Sequence, residues 1–181
     1  KRGYSLISNI YVNGAEAKWK RSQKNPDIIE ISIDKPMKKG IVDVYLSYIV
    51  KLPSSKFTGY GKIKNNQYFI ENFFISLSKF DGYKQIFYSN LDLEEVPLNL
   101  AKFNIELKID KDLNVFSSLN LIEFNKENGS VKYSFESDKI KQVIFLIGNE
   151  ELNINEFLVD EKLVNINIDL KGFKLESQKK S

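Results

Sequence analysis

Neither cysteine nor histidine occurs anywhere in the 181 residues, and that removes more chemistry than any motif supplies. Without cysteine there is no disulfide framework. Without histidine a Ser-His-Asp arrangement is impossible, and a tetrahedral zinc site would have to be built from carboxylates alone. Arginine occurs only at positions 2 and 21, so the arginine clusters that grip phosphates are missing. Nine dispersed glycines form no glycine-rich phosphate loop. Apolar runs are short too. Ile41–Leu52 and Val143–Gly148 are too brief or too broken by charge for the roughly 18–20 residues a membrane helix needs. No secretory leader is recognisable behind Lys1-Arg2-Gly3-Tyr4-Ser5. These absences point away from catalysis, with no cofactor and no metal expected.

What is present describes a folded, strand-rich chain. Hydrophobic residues make up 42% and charged residues 28%, a balance that supports a packed core rather than disorder. Thirteen Phe and nine Tyr favour pleated surfaces. The net charge of +3 divides unevenly, with 13 Lys/Arg against 5 Asp/Glu in residues 1–64 and 14 against 19 thereafter. A basic face for nucleic acid or anionic lipid would be one reading. Scattered lysines in strands that interleave within one sandwich explain the split better, so no nucleic-acid partner is expected.

Period-2 alternation dominates the chain. Ile29, Ile31 and Ile33 alternate with polar neighbours, as do Val42, Val44, Leu46, Tyr48 and Val50. Residues 103–110, Val131 to Phe135 and Val164 to Leu170 repeat the pattern. One apolar and one polar face is the signature of antiparallel sheets. Turn signals separate the strands at Asn13-Gly14, Lys39-Gly40, Asp81-Gly82 and Asn128-Gly129, and the last is a hairpin signal, since Asn-Gly accepts positive φ at both turn positions. Short helical turns are expected at most at Glu94–Ala101 and Glu150–Phe157. The fold class is therefore all-β, an antiparallel β-sandwich or a saddle-like pair of packed sheets over residues 1–175. A polar tail, residues 176–181, is expected to be flexible. The basic ends, Lys1-Arg2 and Gln178-Lys179-Lys180-Ser181, suit a segment of a longer protein. An extracytoplasmic or cell-surface setting is expected over a cytoplasmic one, with any membrane contact made only through flanking segments.

Several constellations have simpler explanations than chemistry. Asp92, Glu94 and Glu95 lack the spacing of a calcium loop and read as a solvated acidic stretch. Asp110-Lys111-Asp112 reads as a turn after a strand. Asn128-Gly129-Ser130 matches a glycosylation acceptor, but its hairpin role accounts for it. Trp19, between Lys18 and Lys20-Arg21, suggests a cation–aromatic contact; a strand residue capping the core is the plainer account.

Three segments in order resemble the N-terminal β-domain of the M1 family of zinc aminopeptidases. The first runs from Tyr11-Val12-Asn13-Gly14 through Pro36-Met37-Lys38-Lys39-Gly40 to Val44-Tyr45-Leu46-Ser47-Tyr48. The second is Gly82-Tyr83-Lys84-Gln85-Ile86-Phe87-Tyr88, and the third runs from Val96-Pro97 to Ala101-Lys102-Phe103-Asn104-Ile105. The resemblance implies a β-domain that packs on a separate catalytic domain, whose zinc motif H-E-x-x-H is not in this chain. It also implies that the two positions by which this domain helps hold a substrate's amino end fall on Leu77 and Lys79. A lysine there repels an ammonium group. Lys79, Tyr83 and Lys84 are accordingly the candidate ligand-binding residues, and other domains of the same or a partner protein are the expected partners. The alternative is a free-standing module for carbohydrate, peptide or cell envelope, using aromatics within Lys56–Tyr68 or Phe80–Tyr88.

Overall fold

The computed structural model describes residues 3–33, 39–64, 66–83, 98–149, 153–159 and 162–168. The chain begins with an antiparallel three-stranded sheet. β1 (Tyr4–Val12) turns through Asn13-Gly14 into the short β2 (Ala15–Glu16), and β5 (Val44–Lys51) pairs along the other side of β1. Asn13 and Gly14 have φ of 50° and 80°, so this turn is left-handed at both central residues. The Asn13 side chain ties it down further. Its Oδ1 accepts from the Asp43 backbone at 2.9 Å, and the Asn13 backbone N–H donates to the Asp43 carbonyl at 2.8 Å.

Between these strands lies a two-stranded ribbon of β3 (Trp19–Arg21) and β4 (Ile29–Ile31). Its alternation puts Trp19, Arg21, Ile29 and Ile31 at half-buried positions, while Lys20 and Glu30 pair outside at 3.2 Å. Trp19 is thus a half-buried strand residue. Arg21 fastens the ribbon to β1, its Nη2 donating to the Ser5 carbonyl at 2.8 Å and to Ser5 Oγ at 2.9 Å.

One helical turn, α1 (Ser55–Thr58), leads into β6 (Gly61–Lys64) and β7 (Gln67–Glu71). Gly61 sits at φ 110°, and a Cβ there would run into the Pro53 carbonyl. The same carbonyl accepts from the Lys62 N–H at 2.8 Å, so close approach and hydrogen bond both depend on glycine at 61.

Two sheets enclose the main core. One has the order β6-β7-β12-β9, with β9 spanning Asn114–Ser117 and β12 spanning Ile144–Gly148. The other has the order β10-β11-β8, from β8 (Asn104–Asp110), β10 (Asn120–Glu127) and β11 (Ser130–Glu136). Between them lie Leu119, Phe135, Val143, Phe145 and Ile147, with Ile105, Leu107 and Ile109 of β8, Val115 of β9 and Ile70 of β7 packed around. Aromatic edge contacts add geometric specificity, notably Phe135–Phe145 at 5.4 Å and Phe73–Phe145 at 5.8 Å. This is the all-β arrangement of packed antiparallel sheets that the alternation implies.

The outward face of the β10-β11-β8 sheet is charged. Lys132 lies 2.9 Å from Glu106, and Lys108 meets Glu127. The Lys108 ammonium holds the Glu127 carboxyl below its ordinary value of 4.5, and Glu106 raises the Lys132 ammonium above 10.5. Both groups are solvated, so these pairs set the polarity of the face more than they stabilise it.

The hairpin expected at Asn128-Gly129 forms between β10 and β11, with Gly129 at φ 81°. One expectation is corrected. Within Glu150–Phe157, residues from Asn153 onward form strand rather than helix. β13 (Asn153–Val159) pairs with β14 (Lys162–Ile168) in an antiparallel hairpin, whose ladder hydrogen bonds outweigh any helical preference of the acidic lead-in. Of Glu94–Ala101, residues 94–97 lie outside the described residues and 98–101 hold no helix. The tail 176–181 also lies outside them.

Candidate interaction surface

Beyond β7 the chain anchors itself and then leaves the core. Asn72, at φ 44°, bridges to Val143 in both directions: its N–H donates to the Val143 carbonyl at 3.0 Å, and its Oδ1 accepts from the Val143 N–H at 3.1 Å. Phe73 and Phe74 are half-buried against the core, Phe74 lying 4.9 Å from Phe103. From Ser76 onward every described residue of this loop is exposed. Asp81 Oδ1 accepts from the Tyr83 N–H at 2.9 Å, closing a small turn around Gly82 at φ 97°. Asn99 Nδ2 reaches the Leu77 carbonyl at 3.4 Å and holds the following segment alongside.

Lys79 and Tyr83 therefore share one exposed loop, with Tyr83 standing 96% exposed beside Phe80 and near the exposed Leu77. Lys84 lies outside the described residues, as do Gln85 to Tyr88. The other proposed aromatic stretch is divided: Tyr60 is exposed, while Tyr68 packs on the core. Among the described residues no group of three or more Asp, Glu, His or Cys side chains converges as a metal site.

A second surface was not singled out by the sequence. The β1–β5 register opposes Tyr4 to Lys51, Leu6 to Ile49, Asn9 to Ser47 and Tyr11 to Tyr45. These pairs occupy one face of the sheet, and the bulge between Ile7 and Asn9 keeps them there along its length. The opposite face carries Ile7, Tyr48, Ile10 and Leu46, of which Ile10 is fully buried. Leu6 is 56% exposed and Ile49 is 63% exposed, with Tyr4 and Tyr45 similarly open. Tyr11 and Tyr45 lie 6.0 Å apart at 55°, and the Lys51 ammonium sits 5.4 Å from the centre of the Tyr4 ring. The result is an aromatic–aliphatic strip with Asn9 and Ser47 at its middle. The available signal was the other parity of the β5 strand, where Tyr45 and Ile49 are apolar at positions that a one-sided sheet would make polar.

No protein-family model matches the sequence, and none of the curated proteins matches it. Among solved structures, the chain is similar to a crystal structure of a two-domain M1 zinc metallopeptidase variant bound to L-arginine. The TM-score is 0.55 at 15% identity, over 89% of this chain. The chain spans 36% of that peptidase's length. The likeness is one of fold.

Proposed function

We propose that this chain is a non-catalytic β-domain, the counterpart of the N-terminal domain of M1 aminopeptidases, that serves by packing against other domains of its own or a partner protein. The observation that carries the reading is the apolar β1–β5 face that exposes Leu6 and Ile49, which lies outside the domain's own core. Apolar strips of this kind on a sheet face mark surfaces meant to be covered. Two further facts support it. A fold likeness confined to 36% of a two-domain peptidase fits a chain that is one part of such an assembly. The lack of histidine and cysteine leaves the chain without the usual zinc ligands or an imidazole base. The exposed loop carrying Lys79 and Tyr83 is in this reading a contact edge rather than a substrate clamp. No helix among the described residues is long and apolar enough to cross a membrane.

An aminopeptidase assay with aminoacyl reporter substrates and added Zn²⁺ tests the non-catalytic part, and no metal-dependent turnover is expected. Turnover that scales with Zn²⁺ and survives repurification would overturn it. The packing part is tested with the variant Leu6→Ser/Ile49→Ser. Thermal stability close to wild type and reduced binding of a hydrophobic reporter dye are expected, because these side chains leave water only when a partner covers them. A large fall in melting temperature would instead make the strip part of the domain's own core.

A further inference from the structure

Two Asn-Gly pairs occur in the chain, Asn13-Gly14 and Asn128-Gly129, and each closes an antiparallel hairpin. In such a pair the glycine nitrogen can attack the amide carbon of the preceding side chain, because no Cβ stands in the way. By sequence the two pairs carry the same nucleophile and the same electrophile. The structure separates them. Asn13 is tied to Asp43 twice, its Oδ1 accepting at 2.9 Å and its backbone N–H donating at 2.8 Å. To swing its amide carbon onto Gly14 it must give up the first of these bonds. Asn128 is exposed, and its side chain takes part in no hydrogen bond among the described residues. The polar side chains beside it are engaged elsewhere, Glu127 Oε2 accepting from Lys108 and from Ser130 Oγ. Gly129 has open space where a Cβ would stand, and so does Gly14, so the difference between the sites lies in the asparagine.

We propose that Asn128 is a site of spontaneous, one-way deamidation, and that Asn13 is protected by its bond to Asp43. The Gly129 amide gives up its proton to hydroxide, and its nitrogen forms a bond to Cγ of Asn128. The Cγ–Nδ2 bond breaks, and ammonia leaves with a proton taken from water, which restores the hydroxide and closes a cyclic imide. Water then opens the ring at either carbonyl, giving aspartate or the β-linked isoaspartate. Both products add a negative charge beside Glu127. Isoaspartate also inserts a methylene into the main chain, inside the two-residue loop that fixes the Glu127–Ser130 register. The strand that loosens is β10, because among the described residues it pairs with β11 alone, while β11 is held on its other side by β8. A change at one loop residue thus reaches the end of the sheet where Leu121 and Phe124 are already 50% and 53% exposed.

Ageing the 181-residue chain in mildly alkaline buffer and mapping its tryptic peptides by mass measures both sites at once. Cleavage after Lys126 and Lys132 releases Asn128, and cleavage after Arg2 and Lys18 releases Asn13. In the folded chain Asn128 should convert about 2- to 12-fold faster than Asn13, the factor that one hydrogen bond of ordinary net strength supplies. Both rates should rise with pH. In strong denaturant they should converge, because the bond to Asp43 is gone. An isoaspartyl methyltransferase should label the aged folded chain at position 128. In that labelled fraction amide exchange should quicken over β10 and stay unchanged over β8. Equal rates at the two sites in the folded chain would sink the proposal. So would a difference that persists in denaturant, since sequence rather than structure would then set it. Exchange over β10 as slow as in fresh protein would overturn the loosening of the strand.

Discussion

Phe145 is 1% exposed and touches rings from both directions, Phe73 on one side and Phe135 on the other. Truncating it removes the transfer free energy of a whole aromatic side chain and leaves a cavity that backbone on both flanks resists closing. Phe145→Ala should cost about 3–5 kcal/mol, read from a lower denaturant midpoint at an unchanged slope. Burial at this position was legible in the apolar run Val143–Gly148, but its ring partners were not, because Phe135 lies on a strand of the other sheet and Phe73 in a segment far away in sequence. Asn72 illustrates the opposite limit. Nothing in its sequence neighbourhood announces that its amide substitutes for a strand residue by bonding Val143, since that role depends on a chain segment some seventy residues on. Lys79 and Tyr83 were found by family resemblance, and the structure places both on one exposed loop.

The strands at 104–110, 130–136 and 44–51 could be read directly, because each has one side facing a core and the other facing water. Reading failed where alternation stopped being informative. β10 carries the apolar residues of a core strand, but its position at the end of its sheet leaves them exposed, and no local pattern distinguishes an end strand from a central one. The β13–β14 hairpin was partly missed for a related reason: Asn153-Ile154-Asn155-Glu156 alternates weakly by itself, and the strand emerges only once Lys162–Ile168 supplies a ladder. Glycines separate by role at this scale as well. Gly14 has open space around its missing Cβ, whereas Gly61 faces the Pro53 carbonyl. Gly14→Ala should cost about 1–2 kcal/mol, the penalty of left-handed backbone alone. Gly61→Ala should cost clearly more, because β6 must also shift away from Pro53 and loosen the Lys62 bond. Paired chemical denaturation of the two variants measures the difference.

Across the whole molecule, the domain turns apolar surface outward at two separate places, the β1–β5 face and the β10 edge. The two faces allow different assemblies. A flat strip of side chains suits a folded neighbour, while an open strand edge suits another strand. A substitution at Leu6 on the first leaves Phe124 on the second untouched.

The strand that completes the main core arrives late in the chain. β12 lies between β7 and β9, its Ile144 opposite Glu71 and its Phe145 opposite Ser117. Until residues 144–148 are available, β7 and β9 have no partner to join them, and the apolar faces of β8 and β11 have nothing complete to pack on. Such non-local closure makes folding slow and prolongs the exposure of unpaired strands. During synthesis, then, more than a hundred residues leave the ribosome before the piece that locks them together, and for that interval the edges that β7 and β9 turn toward β12 stay unpaired.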